Sequence, residues 1–190
     1  KYITADGRIF RAGDVVDEEI SGARIGDLRT VSIDSSRERA LVSFGSSKAP
    51  QWGVFDFIDG VWRPLTGEIK EAAWGRDGNE IYGFREESGK RSLIRIDLLK
   101  TPPSYKTILG DFDLLETEIS WAEPGALFFS ERPSAKVQGR VWKLDLKDLS
   151  LRLVFSSRNG LMVRLSDDGK ILFAETGRQV LRGAALSFAP

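Results

Sequence analysis

Residues 73–82 read Ala-Trp-Gly-Arg-Asp-Gly-Asn-Glu-Ile-Tyr, which is a short apolar strand, an Asp-Gly turn and the start of a second apolar strand. The same order of strand, turn and strand occurs in three other places. Those places are Ser32–Val42, Ser120–Phe129 and Arg164–Phe173. The equivalent positions Ile33, Trp74, Trp121 and Leu165 follow one another at intervals of 41, 47 and 44 residues, which indicates an internal repeat.

A second landmark keeps the same period. It is an alternating strand that ends near an acidic residue, and its equivalent positions Asp56, Asp97, Asp145 and Ser187 advance by 41, 48 and 42 residues. A further strand follows a turn in the first three units. Each unit therefore supplies four short strands, and no window of a dozen residues keeps helical spacing of apolar residues without a Gly, a Pro or an Asp-Gly turn.

Four strands repeated at an interval in the forties predict an all-β chain, a β-propeller built of four-stranded antiparallel blades. About four blades are expected, as one domain, at residues 30–67, 68–113, 114–158 and 159–190. Residues 1–29 hold one hairpin signal and predict a partial blade or closing strands.

The turn at Trp74–Ile81 followed by the strand Leu93–Leu98 resembles the WD-like repeat of TolB-type bacterial β-propellers. In that repeat a Ser-Pro-Asp-Gly turn precedes an apolar strand, and a later strand ends in Asp. Ser35-Ser36 and Pro124-Gly125 stand where the other units have Asp-Gly. The resemblance implies a protein-binding scaffold, often exported to the bacterial cell envelope, and it names no partner.

Composition excludes several classes of function. The chain has 28 basic and 28 acidic residues, a formal net charge of zero, no cysteine and no histidine. Without these two residues there is no thiolate nucleophile, no Ser-His-Asp triad and no common transition-metal site, so we expect no metal and no cofactor.

Interspersed charges argue against a nucleic-acid surface, and no stretch approaches the roughly 20 apolar residues of a membrane span. Because the chain begins at Lys1, we expect a mature or excised piece.

The number of blades stays open between two interpretations. The N-terminal strands would complete the last blade and close a small ring of four, or the chain would be part of a larger propeller. We favour the larger propeller. An open arc exposes two blade faces, so we expect self-association or completion by further blades.

The aspartates and tryptophans that recur at equivalent positions of the repeat are predicted to have structural roles rather than binding roles. Asp56, Asp97 and Asp145 are predicted to accept hydrogen bonds from the backbone of the following turn rather than to form a ring of carboxylates. Trp74 and Trp121 share one repeat position and are predicted to pack between blades. The alternative is an aromatic surface that takes in all five tryptophans: Trp52, Trp62, Trp74, Trp121 and Trp142.

Four residues are candidates for binding a partner. Trp52 lies beside Pro50 and Gly53, a predicted loop edge, and is the best candidate for an exposed anchor. Glu71 and Glu118 each precede a repeat tryptophan by three residues, and Arg164 directly precedes Leu165. They would form a mixed-charge rim beside the innermost strands, although rim charges that contact only solvent are the commoner outcome.

We therefore expect a non-catalytic β-propeller that binds a protein or peptide, in the periplasm or another extracytoplasmic location, with the cytoplasm as the alternative. A carbohydrate-active or peptidase-associated propeller is the alternative function, and it would show a deep pocket with convergent carboxylates. A third possibility, assembly with copies of itself, predicts a large apolar interface.

Overall fold

The computed structural model describes residues 1–22, 24–112, 114, 117–123, 125–131, 138–159, 161–165, 171–175 and 185–188. Side chains are described within these ranges up to residue 156, except at 120–123. This part of the chain is entirely β-strand, turn and loop, as predicted, and it contains no helix that is long and apolar enough to cross a membrane.

Eighteen strands are present among the described residues. In chain order they are β1 Tyr2–Ile3, β2 Ile9–Arg11, β3 Glu18–Glu19, β4 Leu28–Ile33, β5 Arg39–Gly45, β6 Pro50–Asp56, β7 Val61–Pro64, β8 Ile69–Trp74, β9 Glu80–Glu87, β10 Lys90–Asp97, β11 Ser104–Leu109, β12 Thr117–Glu123, β13 Ala126–Glu131, β14 Gln138–Asp145, β15 Leu151–Asn159, β16 Leu161–Leu165, β17 Ile171–Glu175 and β18 Ala185–Phe188.

The strands pair only with their neighbours in sequence, always antiparallel, so every sheet is a meander. Three sheets have four strands: the first blade (β4–β7), the second blade (β8–β11) and the third blade (β12–β15). Two described sheets have three strands, the N-terminal sheet (β1–β3) and the last sheet (β16–β18). These four-stranded antiparallel sheets are the blades that the repeat predicts.

The turn between the first two strands of a blade is the same in the first and second blades. In the second blade, the Gly75 amide donates to the Glu80 carbonyl at 2.7 Å and the Gly78 amide to the Gly75 carbonyl at 3.2 Å. In the first blade the Asp34 amide donates to the Arg39 carbonyl and the Arg37 amide donates to the Asp34 carbonyl, both at 3.0 Å. Gly78 has a φ of 71°, and Arg37 adopts 60° in its place. The hydrogen-bond pattern therefore keeps the turn even where the sequence lacks the glycine that this conformation favours.

The aspartates at the ends of the third strands bind the turns that follow them. Asp56 Oδ1 accepts the amide of Ile58 at 2.9 Å, Asp97 Oδ1 the amide of Leu99 at 3.0 Å and Asp145 Oδ1 the amide of Lys147 at 2.8 Å. Each carboxylate is thus an Asx-turn acceptor. The structural explanation of the repeated aspartates is confirmed.

The chain forms two compact units, Lys1–Gly110 and Asp111–Pro190. In the first unit, one apolar cluster lies between the first and second blades, with Leu41 and Val54 from the former against Ile81, Ile94 and Ile96 from the latter. All five are at most 2% exposed. Side chains alternate between the two faces of a strand, so each blade presents apolar side chains on both faces. The first blade is therefore covered by the second blade on one face and by the N-terminal sheet on the other.

Polar contacts also join the first and second blades. Trp74 Nε1 donates to the Ser32 carbonyl at 2.9 Å, and the Trp74 ring packs against the cluster between the blades. The guanidinium carbon of Arg39 lies 5.6 Å from the centre of that ring. The predicted inter-blade packing of Trp74 is confirmed; the side chain of Trp121 lies outside the described residues.

Asp34 is the buried acid of this junction, and its side chain has no exposed area. Its Oδ1 accepts the amides of Glu38 and Arg39 at 2.9 and 3.0 Å, and its Oδ2 accepts Ser36 Oγ at 2.7 Å and Arg39 Nε at 3.2 Å. Burial alone raises the pKa of this carboxyl, but the four hydrogen bonds outweigh it and hold the pKa below its ordinary value.

The second unit is built around the third blade. Strand β13 is buried along Ala126–Ser130, and Leu127, Phe129, Val141 and Leu144 have no exposed area. Phe112 packs on Phe129 with ring centres 5.2 Å apart. A continuous buried run in the second strand of a blade is what coverage on both faces requires.

Candidate functional site

The face of the first blade that points to the N-terminal sheet carries a continuous apolar surface. Cross-strand pairing places Ala40 opposite Phe55, Val42 opposite Gly53, and Phe55 opposite Trp62. Paired residues point to the same side of a sheet, so these side chains form one surface that crosses β5, β6 and β7. Ala40, Val42 and Phe55 form its buried part.

The N-terminal sheet covers only part of this surface. Ile9 of β2 has no exposed area and contacts the buried part, together with Ile20 and Ile25 from the segment after β3. The sheet has three strands, two of which have two residues, whereas the first blade has four. A sheet of this size does not reach across the outer strand of the blade, so Trp62 and Phe44 remain partly exposed.

A cavity of about 380 Å³ occupies the uncovered space. Its walls are Ile9, Ser21, Gly22, Arg24, Ile25, Gly26, Phe44, Phe55, Gly60 and Trp62. The floor is apolar, and three glycines leave its rim open. All of these residues belong to the first unit.

Trp62 forms the outer wall of the cavity, and its ring can lie where it does because residue 53, on the neighbouring strand, is a glycine. The Trp62 ring lies directly over Gly53, where an added Cβ would overlap the ring. Phe44 meets the same ring edge to face, with ring centres 5.7 Å apart and planes at 62°. This edge-to-face geometry is favoured for aromatic pairs, so the wall is preorganised.

The opposite wall is formed by residues 20–22 and 24–26, and backbone hydrogen bonds of Ile20 and Ile25 hold it in place. The Ile20 amide donates to the Ile9 carbonyl at 2.9 Å, and the Ile25 amide donates to the Gly7 carbonyl at 3.2 Å. Gly7 has a φ of 79°, and a Cβ there would overlap the backbone of Ile25. Glycine at this position therefore lets the segment approach the N-terminal sheet closely enough to close one side of the cavity.

Two side chains are polar among the described residues of the lining. Ser21 is buried, and its Oγ accepts the Ile9 amide at 3.0 Å, so its hydroxyl serves the structure of the wall. Arg24 is exposed and has no ion-pair partner among the residues that the structure describes. The described lining residues include no carboxylate. The cavity can therefore bury an apolar group of a ligand next to the guanidinium of Arg24.

Trp52 was predicted to be an exposed anchor on a loop, and that prediction is wrong. It lies within β6, pairs with Ser43, is 8% exposed and belongs to the cluster between the first and second blades. Pro50 and Gly53 were interpreted as loop signals, but Pro50 is the first residue of β6, a position where proline is tolerated. Gly53 is required for a different reason, the close approach of Trp62.

The three charged candidates lie in strands. Glu71 is in β8 opposite Phe84, Glu118 is in β12 opposite Ser130, and Arg164 is in β16 opposite Leu172. The Glu71 side chain is partly buried and that of Glu118 is exposed, while that of Arg164 lies outside the described residues. None of the three lines the cavity. Their role as a charged rim stays a prediction.

Sequence reasoning named Trp62 only as one of five tryptophans of an alternative aromatic surface, and it did not select Arg24 or Phe44. The available signal was the short N-terminal segment, residues 1–29, because it is too short to build a sheet that covers a whole blade. Within the residues that the structure describes, no group of three or more acidic residues is placed to hold a metal ion.

Comparison with solved structures identifies the fold. TolB from Acinetobacter baumannii aligns with a TM-score of 0.66 and 15% identity over 91% of this chain and 43% of that chain. A structure from an analysis of two prolyl endopeptidases aligns with a TM-score of 0.60 and 15% identity. The alignment covers 96% of this chain and 35% of that chain. The β-propeller domain of the Trilobed protease from Pyrococcus furiosus aligns at 0.52 and 12%, over 88% and 54%.

These similarities confirm a TolB-like β-propeller fold, and at such low identity they concern the fold alone. The chain spans less than two thirds of the length of each of these three structures. No protein-family model and no curated protein matches the sequence.

Proposed function

We propose that this chain is a non-catalytic binding module of the β-propeller class, and that its cavity takes an apolar side chain of a protein or peptide partner. The observation that supports the proposal is the open apolar cavity between the N-terminal sheet and the first blade, with Arg24 as its one charged lining residue. Such a site binds by burial of apolar surface and orients its ligand through a single ionic contact.

The size of the cavity suits a side chain. Small-molecule sites are commonly roughly 300–1,000 Å³, so a volume of about 380 Å³ is large enough to bury one aromatic or aliphatic side chain. A side chain presented by an extended peptide satisfies both the volume and the open rim formed by Gly22, Gly26 and Gly60.

The charge of the site selects among peptides. Arg24 offers a planar group of donors that matches a carboxylate, and no acidic residue lines the cavity to compete for it. We therefore expect the preferred ligand to carry an acidic residue, or a terminal carboxylate, next to the buried apolar side chain. Exposed ion pairs contribute modestly, about 0–1 kcal/mol, so Arg24 provides selectivity while the cavity provides most of the affinity.

Selection of random peptides displayed on phage tests the proposal. The wild-type chain is immobilised and bound phage are eluted. Phage that also bind a Gly26→Trp variant, which adds a large side chain at the rim of the cavity, are then removed. Gly26 tolerates this change because nothing lies within 4 Å of an added Cβ. We expect enriched peptides to combine Phe, Trp, Leu or Ile with a neighbouring Asp or Glu.

The matched control is Gly110→Trp, which adds the same side chain at a glycine with equally open surroundings outside the cavity. Calorimetric titration of one enriched peptide should give unchanged affinity for Gly110→Trp and at least about tenfold weaker affinity for Gly26→Trp. Equal binding to both variants would contradict the cavity as the site, and the absence of any enriched peptide would contradict peptide binding.

We also propose an extracytoplasmic location in the bacterial cell envelope, on the basis of the TolB-like repeat. Fractionation of the source cells with an antibody against this chain tests it. Recovery in the cytoplasmic fraction alone would contradict the proposal.

A propeller domain that accompanies a peptidase is the second candidate function. It is favoured by the alignment with the prolyl endopeptidase structure, which extends over nearly the whole of this chain. The sequence of the complete gene product distinguishes the two, because a peptidase would add a hydrolase domain with its own nucleophile and histidine.

A further inference from the structure

The turn between β2 and β3 carries the most exposed aliphatic side chains of the residues that the structure describes. Val15 is 94% exposed and Val16 is 78% exposed. Both lie in the tip of this hairpin, residues 12–17, with the sequence Ala-Gly-Asp-Val-Val-Asp. Two adjacent valines at the end of a hairpin form an apolar surface that gains free energy when a partner buries it.

Hydrogen bonds to Asp17 brace the tip. Asp17 Oδ1 accepts the Gly13 amide at 3.2 Å, and Asp17 Oδ2 accepts the Tyr2 hydroxyl. Where the strands begin, Arg11 pairs with Glu18 at 3.1 Å. A braced tip loses less conformational entropy on docking than a flexible loop does, so it is preorganised for insertion into a site.

The tip has the chemistry that the cavity favours. The proposed ligand is an apolar side chain next to an acidic one, and Val15 directly follows Asp14. Within the described part of the chain, the Asp14 carboxylate makes no hydrogen bond and Arg24 makes no ion pair. Because Arg24 lines the cavity, Asp14 and the cavity are complementary in charge.

The tip does not occupy the cavity of its own chain. Strands β2 and β3 pair through Phe10 and Arg11, and the tip extends from the Arg11 end of the hairpin. Ile9 and Ser21, which line the cavity, lie at the opposite end. The high exposure of Val15 also shows that its side chain lies outside the cavity. Insertion of the tip therefore requires a second copy of the chain.

We propose that two copies of this chain form a homodimer in which each inserts Val15 into the cavity of the other and places Asp14 beside Arg24 there. This inference rests on the proposed function, because it uses the same cavity. The exchange is reciprocal, so the contact closes as a symmetric dimer and leaves neither tip free. A peptide that binds the cavity competes with the second copy, so dimerisation regulates access to the site.

Analytical ultracentrifugation over a series of concentrations tests the contact. Each contact buries one valine and adds one exposed ion pair, so we expect the dimer at high protein concentration. Val15→Asp removes the apolar group and should weaken dimerisation by at least about tenfold. The matched control is Leu99→Asp, which changes a 75% exposed residue of the second blade and should leave the dimer intact.

Charge reversal tests the ion pair separately. Arg24→Glu places two acids together and Asp14→Arg places two guanidinium groups together, so each variant should sediment as a monomer. The double variant restores opposite charges and should recover the dimer. Circular dichroism of each variant verifies the fold. A wild type that is monomeric at every concentration, a dimer that persists in Val15→Asp, or a double variant that stays monomeric would each overturn the proposal.

A peptide enriched by phage display separates this inference from the proposed function. If both hold, the peptide should dissociate the wild-type dimer, and a dimer that excess peptide leaves intact would overturn the exchange of tips. Peptide binding to a chain that stays monomeric contradicts the dimer alone. A dimer that is lost in both Val15→Asp and Arg24→Glu, with no peptide enriched, supports the exchange of tips and contradicts peptide binding alone.

Discussion

The substitution Asp34→Asn removes a buried negative charge while it preserves the size of the side chain. The carbonyl oxygen that remains can still accept the amides of Glu38 and Arg39. The amide group that replaces Oδ2 is a donor, so Arg39 Nε, which lies 3.2 Å from Oδ2 in the wild type, loses its acceptor. A hydrogen bond to a charged group is worth about 1.5–3 kcal/mol, and the Arg39 side chain is 17% exposed. We therefore expect a loss of about 2 kcal/mol in the free energy of unfolding.

The assay is urea denaturation at pH 7, followed by thermal unfolding. A loss of about 2 kcal/mol corresponds to a decrease of roughly 4–8 °C in Tm for a chain of this length. Asp14→Asn is the control, because Asp14 is an exposed acid whose carboxylate has no hydrogen bond to the part of the chain that the structure describes. We expect that control to lie within about 0.5 kcal/mol of wild type.

The pH dependence gives an independent check on the mechanism. The pKa of Asp34 in the folded state is below its ordinary value, so the carboxylate stabilises the fold above the unfolded-state pKa of about 3.9. That stabilisation is lost as the pH falls through the folded-state pKa. The difference between wild type and Asp34→Asn should therefore be constant from about pH 5 to pH 7 and shrink below about pH 4. An equal difference at acidic and neutral pH, or no difference at neutral pH, would refute the assigned role of the charge.

Three further substitutions have defined outcomes. Arg37→Gly relieves a positive φ of 60° and should raise the free energy of unfolding by about 0.5–1 kcal/mol in urea titration; a loss would contradict strain at this turn. Gly53→Ala forces the Trp62 ring off β6, and should cost about 1–3 kcal/mol and shift the tryptophan emission spectrum; an unchanged spectrum would argue against the described ring position. Trp74→Phe leaves the Ser32 carbonyl without its indole donor and should cost about 1 kcal/mol, measured by thermal unfolding, whereas a neutral effect would mean that this bond adds no net stability.

The repeat allowed the blades to be predicted because strand alternation and turn chemistry are local properties. The Asx turns at Asp56, Asp97 and Asp145 follow from residues within a few positions of one another. Trp74 was assigned to the space between blades because it recurs at one position of the repeat. Its donor contact to Ser32 confirms that assignment.

Trp52 shows where such reasoning fails. Its neighbours Pro50 and Gly53 have the composition of a loop, but both have strand positions for reasons that the local sequence does not contain. Proline is accepted at the first position of β6, and glycine is needed under the ring of Trp62, which is on the next strand. Whether a residue stabilises or destabilises a strand thus depends on which side chain lies opposite it on the neighbouring strand.

The sequence alone determined that the chain is all-β, that its strands come in units of four and where each unit turns, because these depend on neighbours along the chain. Which apolar side chains are covered depends on how the sheets pack against one another. The cavity exists because a three-stranded sheet faces a four-stranded blade. Burial depends on the size of what packs opposite, and that is a property of two sheets together, which no single repeat of the sequence contains.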